Sequence, residues 1–269
     1  MWAGDLVSAR LLARKGIVDP TDFTSLLAWK LEGKGSGGGD SGGGTAPDNP
    51  YTWEGVAYYL NNGTYRDVYK IGDEVPLDLG SEGLINMQVA AFDADTLADG
   101  SGTAAISWVG KELLKTGNRM NPALTTNADG TYQEGTGAIG GWEKCEFRAY
   151  LNDTVKPLIP ADVSSMIVDV SKKQRAYNTT GGKVNQTTTE DVWVPAEDEI
   201  SRSTNVYGGL FPDDTSRIKY ANTTKRLWAL RNAISDSNFK GVSTYGTIGS
   251  NQTKTIHYVC LGFCTGKSK

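Results

Sequence analysis

Read for its alternation of apolar and polar positions, the chain is organised around residues 226–264. Leu227, Trp228 and Leu230 stand at one end and Val259, Leu261 and Phe263 at the other. Between them Ser, Thr, Asn, Gly and Tyr dominate over a sparse apolar framework. That pattern predicts a displayed surface held between two buried clamps. The same composition also suits an ordinary run of short hairpins with Gly- and Asn-bearing turns.

Upstream, residues 1–32 predict two short amphipathic helices. In the first, Trp2, Leu6, Ala9 and Ala13 recur at helical spacing before Gly16. Asp19 caps the second, Pro20 opens it, and Phe23, Leu26, Leu27 and Leu31 share a side. Neither stripe can be buried alone, so 1–32 is expected to serve attachment or oligomerisation. Residues 33–48 form a Gly-rich linker that cannot order itself, and 49–269 form the main domain.

Within that domain, 51–60, 69–79 and a central strand over 84–92 predict a sheet of local hairpins. Two flanking helices are expected: one over 103–116, with Ile106, Val109, Leu113 and Leu114 on one face, and one over 142–155. Farther on, 165–170 is expected to pair with 191–194, with an Asn/Thr/Gly-rich hairpin between Tyr177 and Thr189. Together these make an α+β domain of twisted antiparallel sheets flanked by two helices.

A length of 269 residues is ample for a buried core, and 33 Gly favour strands and loops over helices. Three Cys do not make a disulfide framework, and no apolar run is long enough to cross a membrane. Asp5, Arg10 and Arg14 interrupt the apolar core that a signal peptide needs. The net charge of -4 is unevenly spread: from Arg202 onward ten Lys or Arg face three Asp. A basic third of this kind suits an anionic glycan or a solvated face; it lacks the dense Lys/Arg stripe of nucleic-acid binding.

The frame W-x-L-R at Trp228, Leu230 and Arg231, the spacing of Phe239, Val242 and Gly246, and the ending V-C-L-G-F-C over 259–264 resemble a known variable region. It is that of diversity-generating retroelement variable proteins, which have the C-type lectin fold in its formylglycine-generating-enzyme-like branch. The resemblance implies a C-type lectin-like fold over 49–269, preceded by the N-terminal helical segment. In that family adenine-directed mutagenesis of Asn-rich templates yields chiefly small and polar residues; Lys240, Gln252 and Lys254 stand outside that menu.

Carried over position by position, the resemblance implies scaffold roles for Trp228, Leu230, Arg231, Phe239, Val242, Gly246, Val259, Gly262 and Phe263. It implies ligand contacts first from Ala229, Asn232, Ile234, Ser235, Asp236, Ser237, Asn238 and Lys240. Farther along it adds Ser243, Thr244, Tyr245, Thr247, Ser250, Asn251, Gln252, Lys254, Thr255, His257 and Tyr258. Short amphiphilic side chains suit such contacts because they order at low entropic cost.

Catalytic chemistry has few candidates. His257 is the only histidine, so a two-His iron site cannot be assembled. Formylglycine-generating enzymes, the oxidases of the family resembled, use a cysteine pair; Cys260 and Cys264 match that count, yet on a continuous strand they stand ~13 Å apart. Only a bend at Gly262 joins them; otherwise they are space-filling thiols. Asp93, Asp95 and Asp99 precede Gly100, but Leu97 occupies a ligand position of a calcium loop, so an acidic loop is expected. Glu190 with Asp191, and Glu197, Asp198 and Glu199, are expected to be solvated rather than a glycosidase pair.

No catalytic residue, metal or cofactor is therefore expected. The expected function is ligand binding through a diversified patch, as a phage tail adhesin in the virion. The partner is a protein or glycan of a bacterial surface, and further partners are other copies of the chain, as a trimer, or phage tail proteins. Alternatives are an adhesin on a bacterial cell surface and an oxidase using Cys260 and Cys264. Neither nucleic-acid binding nor membrane insertion is expected.

Overall fold

The computed structural model describes residues 45–203 and 205–267. The chain divides into two units between Ala46 and Pro47. Every helix and strand among the described residues belongs to the second. The helices expected over 1–32 and most of the Gly-rich linker lie outside the described residues.

Residues 51–60, expected in a sheet, belong instead to helix α1 (Trp53–Asn62). Trp53, Val56 and Leu60 recur three and four residues apart and are buried. Thr52 Oγ1 accepts from the Gly55 N–H at 3.1 Å, and Gly63, at φ 71°, closes the last turn. A single turn, α2 (Tyr65–Val68), leads into β1 (Glu74–Asp78). Strand β2 (Leu84–Phe92) has the expected limits but lies second in its sheet.

The sheet's centre is β3 (Ile106–Gly110), where the pattern predicts a helix over 103–116. All five β3 residues are buried. Strand β3 pairs with β2 on one side and with β14 (Gly262–Thr265) on the other; β14 also pairs with β7 (Val192–Trp193). A strand covered on both faces loses its alternation, so its apolar run can be mistaken for a helical stripe. Trp108 Nε1 donates to Thr265 Oγ1 at 2.9 Å and ties β3 to β14.

The helix expected over 142–155 is present as an irregular run. A 3₁₀ turn (Trp142–Lys144) precedes α3 (Glu146–Tyr150), a π turn (Leu151–Val155) and a second 3₁₀ turn (Lys156–Leu158). One turn, α4 (Ala161–Ser164), follows. The strand pairing expected of 165–170 with 191–194 is replaced by β5 (Val170–Tyr177) with β6 (Lys183–Glu190), while β7 joins β14. In β5 the alternate residues Val170, Lys172, Gln174 and Ala176 are buried. Asn178 Oδ1 accepts from the Gly182 N–H at 2.7 Å and shapes the intervening turn.

A second sheet has the order β12-β11-β10-β13-β4. Its strands are β4 (Gly117–Arg119), β10 (Trp228–Ala233), β11 (Asn238–Val242), β12 (Ile248–Gln252) and β13 (Ile256–Tyr258). Between the sheets in sequence come a single turn, α5 (Glu197–Ile200), and the small hairpin β8 (Tyr220–Ala221) and β9 (Thr224–Lys225). The domain is α+β. Strand β10 lies between two cores: Ala229 and Ala233 pack with Trp108, Phe239 and Phe263, while Trp228 and Leu230 pack with Val109, Trp193 and Val242. Among the described residues no helix is long and apolar enough to cross a membrane.

Candidate functional site

All nine residues with an expected scaffold role are buried, from Trp228 to Phe263. Two of the glycines among them are required by close approach. A Cβ on Gly246, which sits at φ 81°, would overlap the Asp214 carbonyl, and one on Gly262 would enter the Trp193 ring. Trp228 Nε1 donates to the Arg217 carbonyl at 3.0 Å, and Arg217 Nε donates to the Gly246 carbonyl at 3.0 Å. The β11–β12 turn is thereby fastened to the loop before β8.

The residues expected to touch a ligand divide into two groups. The β10–β11 turn, with Ser235, Asp236 and Ser237, lies beside the β12–β13 turn: Asn238 pairs with Gln252, and the Thr253 N–H donates to the Ser237 carbonyl at 3.4 Å. Lys254 and Thr255 belong to that end. Ser243, Thr244, Tyr245 and Thr247 lie at the other end of β11, ~13 Å of strand away. Tyr245 at that tip is 76% exposed. Lys240 and Ser250 are cross-strand partners midway, and Asn251 pairs with Phe239. Ile234, Asn232 and Tyr258 are half-buried.

Ala229 and His257 are corrected: both are fully buried and have no surface to offer. Ala229 pairs with Gly241 inside the first core. The His257 Nδ1 lies 2.8 Å from the Thr255 carbonyl, and Nε2 has no partner among the described residues. Burial lowers the imidazole's pKa, against the opposing effect of the Thr255 carbonyl.

Beside β10 opens a groove of about 650 Å³. One wall is the β5–β6 hairpin, through Lys173, Gln174, Arg175, Asn185, Gln186 and Thr187; the other is formed by Glu197, Asp198, Ser201 and Asn232. Lys240 Nζ reaches Glu197 at 3.2 Å, and Asn232 Oδ1 accepts from the Glu197 N–H at 2.6 Å. The groove thus adjoins the face of β11 that carries Lys240.

Under the groove lies a buried ionic cluster. Lys172 Nζ lies 2.6 Å from Asp95 Oδ1 and 3.1 Å from Glu199 Oε1, and donates to Tyr207 Oη at 2.6 Å. Tyr207 in turn donates to Asp95 Oδ2 at 2.6 Å, as does Ser107 Oγ. Arg231 Nη2 meets Glu199 Oε1 at 2.8 Å and Nη1 donates to the Val194 carbonyl. The Lys172 ammonium also sits 3.7 Å from the Trp193 ring centre. Two carboxylates balance two cations. Burial alone would raise the Asp95 carboxyl, but Lys172 and the hydroxyl donors bring it down to about 2. Burial likewise opposes Glu199, which Arg231 and Lys172 hold below its ordinary range.

Burial corrects three expectations. Asp95 is not part of a solvated acidic loop, Glu199 is buried, and Glu190 is buried against Trp142 Nε1 and Arg148 Nε, at 3.1 and 2.9 Å. Sequence offered one signal for the ionic cluster: Lys172 falls in the inward phase of β5.

The thiols do not meet. Cys260 Sγ approaches the Gly110 carbonyl at 3.7 Å, whereas Cys264 Sγ points to Asp95 and Ser107, at 3.3 and 3.6 Å. Their neighbours are three residues apart on β3, about 10 Å of strand. Burial raises Cys260 to about 11 and Cys264 well above the ordinary thiol value, so both stay protonated and unreactive at neutral pH. Among the described residues no group of three or more His, Cys, Asp or Glu is arranged to hold a metal ion.

Residues 120–259 match a family model described as Domain of unknown function (DUF6273). The chain belongs to the DUF6273 family. No curated protein and no solved structure matches the chain. The DUF6273 match spans the helical run, the β5–β6 hairpin, α5 and β10–β13. It therefore contains the whole groove and both groups of turns, while β1–β3 and β14 lie outside it.

Proposed function

We propose that this chain is a ligand-binding protein of the diversity-generating retroelement variable type, with a C-type lectin-like scaffold. The observation that carries the reading is the contrast within 226–264. The framework positions are buried, while the turns between them carry Ser, Thr, Asn and Tyr side chains that lie outside the core, Tyr245 most of all. Such a segment tolerates exchange of its turn residues without loss of the scaffold. Support for the fold comes from β14, which follows the turns and lies inside the first sheet, with α1 packed on that sheet through Trp53, 5.2 Å from Trp108 and 5.7 Å from Phe263.

The chain is an adhesin rather than an enzyme on this reading. It is carried on a phage tail or, alternatively, on a bacterial surface, and its target is a protein or glycan of a bacterial cell. Residues 1–32 join copies of the chain, as a trimer, or attach it to a larger particle. Joining copies raises avidity by roughly 10²- to 10⁴-fold where several sites engage one surface.

The test is binding of the full chain to a panel of bacterial cells. Simultaneous replacement of Ser243, Thr244, Tyr245 and Thr247 by Ala is expected to abolish binding to the recognised cells while leaving the melting temperature unchanged. Undiminished binding by that variant overturns the displayed-surface reading. A near-copy of the codons for 228–264, differing chiefly at adenines beside a reverse transcriptase gene, is the matching genetic expectation.

A further inference from the structure

The groove beside β10 has a chemistry of its own, and apart from Asn232 its residues lie outside 226–264. Lys173 and Arg175 are two residues apart on β5, so they share a face with about 7 Å between them. Their cross-strand partners are Thr187 and Asn185. Among the described residues neither cation has an ion-pair partner, although each stands next in sequence to a buried polar residue that is fully engaged: Lys172 by Asp95 and Glu199, Gln174 by Thr188 and Arg231. Across the groove, Glu197 is taken up by Lys240. That leaves Lys173 and Arg175 against Asp198, a surplus of positive charge.

The rest of the lining is amide and hydroxyl, and no apolar or aromatic side chain contributes to it. A flat aromatic or an apolar ligand would find nothing to bury against. Neither would the apolar side chains of a peptide. Asn232 has its Oδ1 engaged by the Glu197 N–H, so the end of its amide left for a ligand is the donor. A ligand that fits is small, rich in hydroxyls and acidic.

We infer that the groove between the β5–β6 hairpin and α5 is a subsite for an acidic oligosaccharide, with Lys173 and Arg175 receiving its carboxylates and the amides and hydroxyls receiving its ring hydroxyls. The subsite rests on the reading of the chain as a ligand-binding protein, but not on the turns. Its neighbour Lys240 joins the two surfaces: the side chain that neutralises Glu197 at the groove belongs to the segment expected to vary. An exchange at position 240 that frees Glu197 therefore weakens the subsite for anions.

The experiment is calorimetric titration of the full chain with tetragalacturonate, maltotetraose and tetraglutamate. Tetragalacturonate is expected to bind, with affinity falling as salt rises. Maltotetraose and tetraglutamate are expected to bind at least about tenfold more weakly, since one lacks the charge-assisted hydrogen bonds and the other the hydroxyls. The double variant Lys173→Ala with Arg175→Ala is expected to lose about tenfold or more, and Lys240→Ala to lose less. The fourfold variant of the β11–β12 turn leaves the titration unchanged. Absence of tetragalacturonate binding, or binding indifferent to the double variant, overturns the subsite. Equal or tighter binding of tetraglutamate overturns the saccharide class. Failure of the displayed-surface reading is distinct, because it appears in cell binding by the turn variant and not in this titration.

Discussion

Lys172 and Lys173, and likewise Asp198 and Glu199, are neighbours in sequence with the same chemistry and opposite situations. Lys172 and Glu199 are buried in a charge-balanced cluster with Asp95 and Arg231. Lys173 and Asp198 face the open groove with no ion-pair partner among the described residues. Strand alternation alone divides the first pair, and the turn of α5 divides the second. Inside, each charge is held by others because an unpaired buried charge is prohibitive; outside, water satisfies each charge until a ligand replaces it.

The comparison is broken most sharply by removing one charge from each side. Lys172→Met is expected to destabilise the domain by ~3–5 kcal/mol by leaving Asp95 without a cation, Glu199 keeping Arg231, whereas Lys173→Met should change stability by less than ~0.5 kcal/mol. Denaturant melts of the two variants decide this. Trp228→Ala and Phe263→Ala are expected to cost ~3–5 kcal/mol each by the loss of a buried ring, against less than ~0.5 kcal/mol for Ser235, Thr244, Ser250 or Thr255→Ala.

Acid sharpens the comparison. The folded Asp95 value of about 2 lies below its ordinary 3.8. The stabilisation it gives is thus complete above the unfolded value and is lost as pH falls from there toward 2, by an amount on the order of 2 kcal/mol. His257, also depressed when folded, acts at higher pH. Its contribution is present above the ordinary 6.5 and falls away as pH drops through the folded value. Thermal melts from about pH 7.5 to about 2.5 should show a shallow early decline, absent in His257→Gln, and a steeper late one, reduced in Asp95→Asn. The thiols contribute less than the charges and rings: Cys260→Ser and Cys264→Ser are expected to cost about 1 kcal/mol each through one buried hydroxyl, with cell binding retained.

How far each element is legible in the chain follows from the range of the interactions that make it. Strand β2 is legible to its limits because apolar residues dominate from Leu84 to Phe92, broken only at Asn86 and Gln88. Strand β3 is not, because its cover on both edges, by β2 and by the distant β14, leaves an apolar run that fits two periods. Helix α1 is hidden by aromatic residues that favour strands locally; burial of Trp53, Val56 and Leu60 overrides them. The buried framework of 226–264 can be sensed from its apolar ends, yet the division of its turns into two groups depends on a hairpin register that composition does not carry. The groove is invisible in the sequence, and of the cluster beneath it only the inward phase of Lys172 on β5 can be read there, since the members of both come from separate elements.

Strand β14 lies between β3 and β7, and it comes after the turn segment in the chain. Its link from Trp108 to Thr265 joins residues 157 apart in the chain, a long-range pairing of the kind that slows folding. A frameshift or stop codon arising within the turns would withhold the strand that β3 and β7 both require. Only chains translated in frame through residues 226–258 carry that strand, so a closed sheet certifies an intact reading frame through the turns.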